Sequence, residues 1–218
     1  MGFARGGELM NWMDMTLREF QDALASSDPT PGGGTAAAVA LGQATALTRM
    51  VAQLTLGKEK WQEGWIAAKE AERISEKTYL RSGELAQLDS DAFDQVMAAF
   101  RLPKSNEEEV QVRRNSIRQA TLKASEIPYE TVVLGMELLT CHEALAVHGN
   151  GNAVSDVGVA ALLASAAVKG ALFNVEINLQ SLPDEMGAEM RAKVPAIRME
   201  CSDVSRKIMH AVHERMAQ

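Results

Sequence analysis

Apolar residues recur along most of the chain at the spacing of a helix rather than of a strand. Leu17, Phe20 and Leu24 share one face of a short helix predicted from about Thr16 to Ser26. After the sequence SSDPTPGGG, a second helix is predicted from Thr35 to about Gly57. The chain lacks the regular apolar–polar alternation of β-strands. The pattern therefore predicts an all-α bundle of about six to eight long helices.

The later helices are predicted to start or end at residues that cap or break a helix. One long helical stretch is predicted from about Trp61 to Phe100. The predicted boundary features are an interruption at Ser82-Gly83, an N-cap at Asn106, a start or kink at Pro128, an N-cap at Asn152 or Ser155, and an N-cap at Asp184.

Small side chains dominate the second predicted helix. Ala36, Ala40, Ala44 and Leu47 fall along one side of it, where another helix can approach closely. Aromatic residues make up only 5% of the composition, whereas Ala, Leu and Met are abundant. This composition favours helices packed through small-residue faces over a β-sandwich. The length of 218 residues fits a single domain over 1–218.

The net charge and the cysteine content limit the kinds of partner that the protein is expected to bind and the compartment in which it is expected to act. A net charge of −7 argues against a general nucleic-acid-binding protein, which needs a dense basic surface. Cys141 and Cys201 form no CxxC pair, which fits reduced thiols in a cytoplasmic protein. The most apolar stretch, Val157 to Val168, is too short to span a bilayer and is predicted to be a buried helix. We therefore expect neither a nucleic-acid nor a membrane partner.

A glycine-rich turn stands directly before the second predicted helix. Two prolines stiffen its approach, and three glycines permit close backbone contacts. Free N–H groups at a helix start can hold a carboxylate, a carbonyl or an oxyanion, although the ending of a Walker A motif is absent. A plain helix entry is the alternative interpretation. The candidate binding residues are Thr30, Pro31, Gly32, Gly33, Gly34 and Thr35.

Two amides share one face of the predicted helix that ends near Leu179. Asn174 and Asn178 are one turn apart, and Gly170 lies one turn before Asn174. Polar amides on a face of small residues are costly unless they are paired. They either form hydrogen bonds between helices or recognise a flat heterocycle with several donors and acceptors. Asp156 lies near the other end of this helix.

The remaining ionisable candidates are less specific. Asp89 and Asp91 are two positions apart and cannot share a helical face, so one is expected to face a cavity and the other solvent. Lys58 follows a predicted helix end, where a lysine complements the helix dipole. His210 and His213 lack a third ligand nearby in sequence, so no metal site is predicted.

Three segments together resemble a known family. They read DPTPGGGTAAAVALGQATALTRMVAQLTLGK, LDSDAFDQVMAAFRLPK and GNAVSDVGVAALLASAAVKGALFNVEINLQSL. Their order and spacing are similar to those of the formiminotransferase-cyclodeaminase C-terminal domain family, which includes stand-alone methenyltetrahydrofolate cyclohydrolases. The resemblance implies an all-helical homodimer that binds a reduced folate in a groove near the subunit interface. It also implies that neither a cofactor nor a metal is needed.

The resemblance implies chemistry at the carbon between N5 and N10 of tetrahydrofolate. The expected reaction is either cyclodeamination of 5-formiminotetrahydrofolate or hydrolysis of 5,10-methenyltetrahydrofolate. Asp156, Lys58 and Asp91 are then the candidate catalytic groups. Asn174 and Asn178 would orient the heterocycle, and the N–H groups of the glycine turn would bind a carbonyl or the glutamate tail. The alternative is a non-catalytic folate-binding or interaction protein that retains the family fold.

Overall fold

The computed structural model describes residues 11–218 and, for their backbone, residues 4–5 and 8–9. Residues Ala4–Arg5 (β1) and Glu8–Leu9 (β2) pair as a minimal antiparallel ladder, with Ala4 opposite Leu9. The other described elements are helices joined by loops and short 3-10 turns, as expected for an all-α protein. The α-helices are α1 (Leu17–Leu24), α2 (Gly33–Thr55), α3 (Trp65–Phe100), α4 (Glu107–His148), α5 (Val154–Gln180) and α6 (Ala188–Met216).

Two of the predicted helix starts are confirmed by their caps. Thr16 caps α1 through a capping box in which its side chain and that of Glu19 satisfy each other's backbone N–H groups. The Asn106 side chain accepts a hydrogen bond from the Glu109 N–H at 2.9 Å and caps α4. Helix α2 begins at Gly33, two positions before the predicted Thr35.

Helix α3 is not interrupted at Ser82-Gly83 as predicted, and no new helix starts at Pro128. Helix α3 continues through Ser82-Gly83, and the Ser82 hydroxyl donates a hydrogen bond to the Tyr79 carbonyl within the helix. Helix α4 continues through Pro128, which lacks the N–H that would bond to the Ala124 carbonyl four residues earlier. That carbonyl instead accepts a hydrogen bond from Asn178 Nδ2 at 2.9 Å. A contact between helices therefore repairs the defect that the proline creates.

The starts of α5 and α6 also differ from the prediction. Asn150, rather than Asn152 or Ser155, caps the short 3-10 turn Gly151–Ala153, and α5 follows without a side-chain cap. Helix α6 begins after Gly187, which adopts a left-handed φ of 70°, and not at Asp184. A left-handed glycine redirects the chain at little steric cost, so no aspartate cap is needed there.

The core lies among α2, α3, α4 and α5, each of which packs against two of the others in a ring, while α6 covers α4 and α5. Alanines on the inner faces allow close approach: Gly170 of α5 and Ala37 of α2 are nearly in contact. On the predicted small-residue face of α2, only Ala44 is fully buried, and Ala36, Ala40 and Leu47 are half-buried. The buried face is instead rotated towards Ala37, Ala38 and Leu41.

Helices α2 and α5 run antiparallel, which defines two ends of the bundle. At the first end, Gly33 of α2 lies beside Asn174 of α5. At the second end, the Thr55 hydroxyl of α2 accepts a hydrogen bond from the Asn150 N–H just before α5. The first is called the pocket end below and the second the far end.

Helix α5 is more apolar than the other helices of the bundle. In the described chain, one helical stretch, Gly151–Gln180, has the length and mean hydropathy (1.6) of a membrane span, with 56% of its most apolar window buried. It is longer than the twelve-residue run predicted from sequence. Core helices of bundles meet the same criteria, and α5 packs against α2, α4 and α6 as such a helix does.

Candidate functional site

A pocket of about 340 Å³ lies at the pocket end, between the first turn of α2, the middle of α3 and the last turns of α5. This volume is in the range of small-molecule sites. Its lining combines polar and apolar side chains, and both α3 and α5 contribute each kind. The lining residues are Pro29, Thr30, Gly32, Gly33, Gly34, Asp89, Phe93, Val96, Ala124, Asn174, Ile177 and Asn178.

Asp89 is the ionisable group of this pocket. Its Oδ2 accepts a hydrogen bond from the Thr35 hydroxyl at 3.1 Å, and the carboxylate also accepts one from the Thr35 backbone N–H. Burial raises the pKa of the Asp89 carboxyl above its ordinary value of 3.8, whereas the two Thr35 hydrogen bonds oppose that rise. A carboxyl whose pKa is raised is a better proton acceptor than an ordinary one, and it can return the proton later in a reaction.

A chain of hydrogen bonds leads from the surface to Asp89. Trp12 Nε1 donates to Ser90 Oγ at 2.9 Å, and Ser90 Oγ lies 3.0 Å from Thr35 Oγ1. When Asp89 is ionised it only accepts, so Thr35 donates to Asp89 and Ser90 donates to Thr35. Every hydroxyl proton in the chain then points towards the carboxylate. This arrangement fixes the Asp89 side chain and stabilises its charged form.

Glycine is required at position 34 because the Asp89 carboxylate lies against the backbone there. A Cβ atom on Gly34 would lie 2.2 Å from Asp89 Oδ1, so only glycine fits while Asp89 holds its place. A Cβ on Gly33 would lie 3.8 Å from Asn174 Nδ2, an ordinary contact. Gly32 is the N-cap of α2 and provides no side-chain cap, so Asp89 supplies the missing acceptor through the Thr35 N–H.

Both predicted asparagines line the pocket, and the side-chain nitrogen of each donates a hydrogen bond to a backbone carbonyl. Asn174 Nδ2 donates to the Gly170 carbonyl at 3.0 Å, and Asn178 Nδ2 donates to the Ala124 carbonyl. These bonds leave both amide oxygens available as acceptors for N–H groups of a ligand. Structural pairing and ligand recognition, the two interpretations open at the level of sequence, are therefore compatible at these residues.

The structure does not bring the three predicted catalytic residues into the pocket of one chain. Asp91 is exposed and accepts a hydrogen bond from Gln87 Nε2 at 2.8 Å. Lys58 is exposed just beyond the end of α2, at the far end. Asp156 is half-buried in the first turn of α5, and about 27 Å of helix separate it from Asn174.

Asp89 could have been preferred to Asp91 from its helical phase. It follows Leu85 by one turn and precedes Ala92 by nearly one turn, and both of these are buried. Asp91 instead follows Gln87, which is only half-buried. The pair was expected to divide between a cavity and solvent, and it does, with Asp89 in the cavity.

Two larger clefts lack a comparable acid. One, of about 510 Å³, lies at the far end between Trp61, Asn152 and Arg215, and the other, of about 480 Å³, lies between α2 and α3. Neither lining includes a buried ionisable group among the described residues. No group of three metal-binding side chains occurs in the described part of the chain. The pocket at Asp89 is therefore the candidate active site.

Comparison with known proteins gives concordant results. The family model described as formiminotransferase-cyclodeaminase matches residues 16–195. A methenyltetrahydrofolate cyclohydrolase of Methylorubrum extorquens is 36% identical over 202 residues, which cover 92% of this chain and 97% of that protein. A formimidoyltransferase-cyclodeaminase of Rattus norvegicus is 27% identical, and the match covers 96% of this chain but 39% of the rat protein.

The fold also has a match among solved structures. The crystal structure of a formiminotetrahydrofolate cyclodeaminase from Thermotoga maritima superposes with a TM-score of 0.76 and 29% sequence identity. The match covers 94% of this chain and 97% of the Thermotoga chain. The similarity thus extends over nearly the full length of both proteins.

Proposed function

Because the chain belongs to the formiminotransferase-cyclodeaminase family, we propose that it is a one-carbon folate enzyme that hydrolyses 5,10-methenyltetrahydrofolate to 10-formyltetrahydrofolate. The main structural support is Asp89, a half-buried acid whose pKa is raised by burial, in a pocket that also offers two amide oxygens. The choice of hydrolysis rests on the cyclohydrolase relative, 97% of whose length is matched.

The proposed reaction begins with the addition of water to the methenyl carbon. Asp89 accepts one proton from the water as the C–O bond forms, and the positive charge of the amidinium is neutralised in the tetrahedral adduct. The bond from this carbon to N5 then breaks, and Asp89 returns its proton to N5. The remaining hydroxyl proton leaves to solvent, so the formyl group stays on N10. A positioned acid–base group of this kind contributes about 10²- to 10⁴-fold to the rate.

The pocket residues also fit the geometry of a pteridine ring. The ring's N–H donors would face the Oδ1 atoms of Asn174 and Asn178, whose nitrogens are bound to the protein. Phe93, Val96 and Ile177 would contact its flat faces. The proposed steps require no cofactor and no metal, because each moves only protons and one oxygen.

Cyclodeamination is the second candidate, favoured by the Thermotoga structure, which is a formiminotetrahydrofolate cyclodeaminase. In that reaction N10 attacks the formimino carbon on N5. Starting from the protonated formimino group, Asp89 would take the N10 proton as the N10–C bond forms. It would then return this proton to the departing nitrogen, so that the C–N bond breaks and ammonia leaves. Both reactions therefore use one carboxyl at the same carbon.

We further propose that the protein is a homodimer with the pocket near the subunit interface and that it acts in the cytoplasm. The homodimer is supported by apolar side chains exposed on α5, which reach the pocket at Ile177. The cytoplasmic location is supported by two buried cysteines, both unpaired in the described chain.

Two assays test the proposed function. Purified protein is mixed with methenyltetrahydrofolate, and the loss of the methenyl absorbance is followed. In parallel, formiminotetrahydrofolate is supplied, and both the rise of that absorbance and the release of ammonia are measured. We expect the first reaction to be faster. Ammonia release at the higher rate would assign the deaminase instead, and stabilisation by 5-formyltetrahydrofolate without either turnover would indicate a binding protein.

A further inference from the structure

The hairpin formed by the end of α3 and the start of α4 extends beyond the pocket end of the bundle. Asn178, two residues before the end of α5, donates a hydrogen bond to the Ala124 carbonyl, and α4 begins 17 residues before Ala124. About 25 Å of α4 therefore lie past this contact. Within residues 97–118, called the arm below, Ala99 alone is buried. The arm is thus a pair of helix ends with little core of its own.

One face of α3 runs from the pocket into the arm. Asp89, Phe93 and Val96 line the pocket and recur at steps of four and three, so they share this face. The next position on the face is Phe100, whose side chain is 48% exposed. Phe100 lies about 10 Å of helix beyond Phe93, the middle one of the three pocket residues. The face that lines the pocket therefore continues along the arm as far as Phe100.

Arg113 of α4 is held over the ring of Phe100. Its guanidinium carbon lies 5.6 Å from the centre of that ring. Its Nε and Nη2 atoms donate hydrogen bonds to the Phe100 carbonyl at 3.2 and 3.1 Å. Arg113 is half-buried and forms no ion pair with a residue of the described chain. A guanidinium has five N–H donors, so three remain, and Nη1 and Nη2 can together bind one carboxylate.

The arm is rich in cations although the protein is acidic. The chain carries a net charge of −7, whereas residues 97–118 contain five cationic side chains and three carboxylates. The three carboxylates all stand in the first turn of α4, at the tip of the arm, where Glu109 accepts a hydrogen bond from the Ser105 N–H. An anion that reaches Phe100 from the pocket therefore meets cations before it meets these carboxylates.

A folate substrate needs a cation at about this distance from the pocket. Its p-aminobenzoyl group separates the reacting carbon from the carboxylates of its glutamate tail. The aminobenzoyl group and one glutamate together span roughly 10–14 Å, the length of three or four extended residues. The pocket lining itself contains no cation. The span is similar to the distance along α3 from Phe93 to Phe100, so an extended tail can reach Arg113.

Building on the proposed function, we propose that the arm binds the tail of the substrate: the aminobenzoyl ring lies along Val96 and Phe100, and Arg113 binds a glutamate carboxylate through Nη1 and Nη2. Arg113 is then a specificity-determining residue, because it distinguishes a folate from the same pteridine without glutamate. Of the two ligands expected for the glycine turn, a carbonyl rather than the glutamate tail would be the one bound there.

Arg113 also has a structural role that the test must separate from binding. Its hydrogen bonds to the Phe100 carbonyl satisfy an acceptor that the end of α3 leaves free. A planar guanidinium can serve the carbonyl with one edge and a ligand with the other. Loss of the structural bonds would affect all substrates alike, whereas loss of the carboxylate site would affect only substrates that carry a glutamate.

Kinetics with two substrates make this separation. Wild type, Arg113→Gln and the control Arg114→Gln, at the adjacent exposed residue, are assayed with methenyltetrahydrofolate and with methenyltetrahydropteroate, which lacks the glutamate. We expect the wild type and the control to show a KM about tenfold higher for the pteroate, with similar kcat. Arg113→Gln should show equal KM values for the two. A wild type that does not distinguish the substrates, or an Arg113→Gln variant that still does, would overturn the proposal.

Salt dependence gives a measurement on the unaltered protein, which holds even if Arg113→Gln disturbs the arm. Added salt screens the attraction between the carboxylate and the cations of the arm. The wild-type KM for methenyltetrahydrofolate should therefore rise several-fold with ionic strength, whereas the KM for the pteroate should stay nearly constant. Equal salt dependence of the two substrates would contradict binding of the tail by cations.

Calorimetry with unreactive ligands distinguishes failure of this proposal from failure of the proposed function. The wild type should bind 5-formyltetrahydrofolate about tenfold more tightly than 5-formyltetrahydropteroate, and Arg113→Gln should bind the two equally. If this result comes from a protein that turns over neither folate, the proposed function fails and the tail site stands. If turnover occurs but neither affinity nor KM depends on the glutamate, the tail site fails and the proposed function stands.

Discussion

The two ends of the bundle differ in the charged side chains that they hold. At the far end, the cations Lys60 and Arg215 are placed over the Trp61 ring, 4.6 and 5.7 Å from its centre. At the pocket end, Asp89 is half-buried, burial raises the pKa of its carboxyl, and the pocket lining contains no cation. Keeping a carboxylate there costs desolvation energy that solvated charges do not incur. An ionisable group retained at that cost, beside a cavity, is the stronger indication of chemistry.

Among the substitutions that test this comparison, the one at Asp89 is expected to lower turnover most. Asp89→Asn keeps an acceptor for the Thr35 hydroxyl but cannot take a proton, so turnover should fall about 10²- to 10⁴-fold with the helicity unchanged. Asp91→Asn, on the solvent side of the same helix, is the matched control and should stay within about twofold of wild type. Equal losses in the two variants would contradict the assignment.

The pH dependence of the wild type gives a second measure of Asp89. As a general base, Asp89 must be ionised, so activity should fall as the pH drops through its pKa. Because burial raises that pKa, the acid limb of kcat/KM should lie above the ordinary carboxyl value of 3.8. A rate profile that is flat down to that value would exclude Asp89 as the base.

His142 is a buried ionisable residue that lines none of the described pockets. Its burial is therefore expected to affect the stability of the fold and not the reaction. Thr48 Oγ1 donates to the Ala44 carbonyl, so it accepts the 2.7 Å hydrogen bond from His142 Nε2, and Nδ1 has no partner in the described chain. Burial lowers the pKa of His142 from 6.5 to about 4. The neutral ring is therefore favoured by folding, and its contribution is complete above pH 6.5 and lost as the pH falls towards 4.

The expected loss from His142 is about 3 kcal/mol of unfolding free energy between these two pH values. Urea unfolding at a series of pH values measures it. His142→Gln should be less stable at neutral pH but should show a shallower decline towards acid. His210→Gln, at an exposed histidine on α6, should keep the wild-type slope. Identical slopes in all three proteins would show that His142 is not the titrating group.

Adding one methyl group should have different effects at two neighbouring glycines of the pocket end, Gly33 and Gly34. In Gly34→Ala, the new Cβ would occupy the position of the Asp89 carboxylate and displace it, so turnover should fall about 100-fold. Gly33→Ala adds the same methyl where the nearest atom is 3.8 Å away and should have little effect. Kinetics of both variants with melting curves would test this, and equal activities would mean that Asp89 can move freely.

The smallest effect is expected at the start of the hydrogen-bond chain. Trp12→Phe removes the donor to Ser90 but keeps the bulk of the ring. The ionised form of Asp89 should be less stabilised, so the acid limb of kcat/KM should move to higher pH. The value of kcat should fall a few-fold, which corresponds to about 0.5–1.5 kcal/mol of activation free energy. Met13→Leu, at the adjacent residue, is the control. An unchanged pH profile would mean that the chain does not influence Asp89.

The sequence allowed the helical class, the glycine turn and the two amides to be predicted, because each depends on neighbours within one continuous segment. It could not reveal that Asn178 would repair the backbone at Pro128, since these residues lie on different helices. For the same reason, the sequence alone predicts an interruption at Ser82-Gly83 and a helix start or kink at Pro128. It also could not show that Asp89, and not Asp91, faces the pocket, because the orientation of α3 depends on where α2 and α4 pack against it.

The chain from Trp12 to Asp89 has a consequence for measurement. An indole whose N–H is the first donor of that chain experiences a different electric field when the carboxylate gains a proton or a ligand. Trp61 and Trp65 lie at the opposite end, so a version with phenylalanine at both would fluoresce from Trp12 alone. Its emission would then serve as a built-in optical sensor of the ionisation and occupancy of the site.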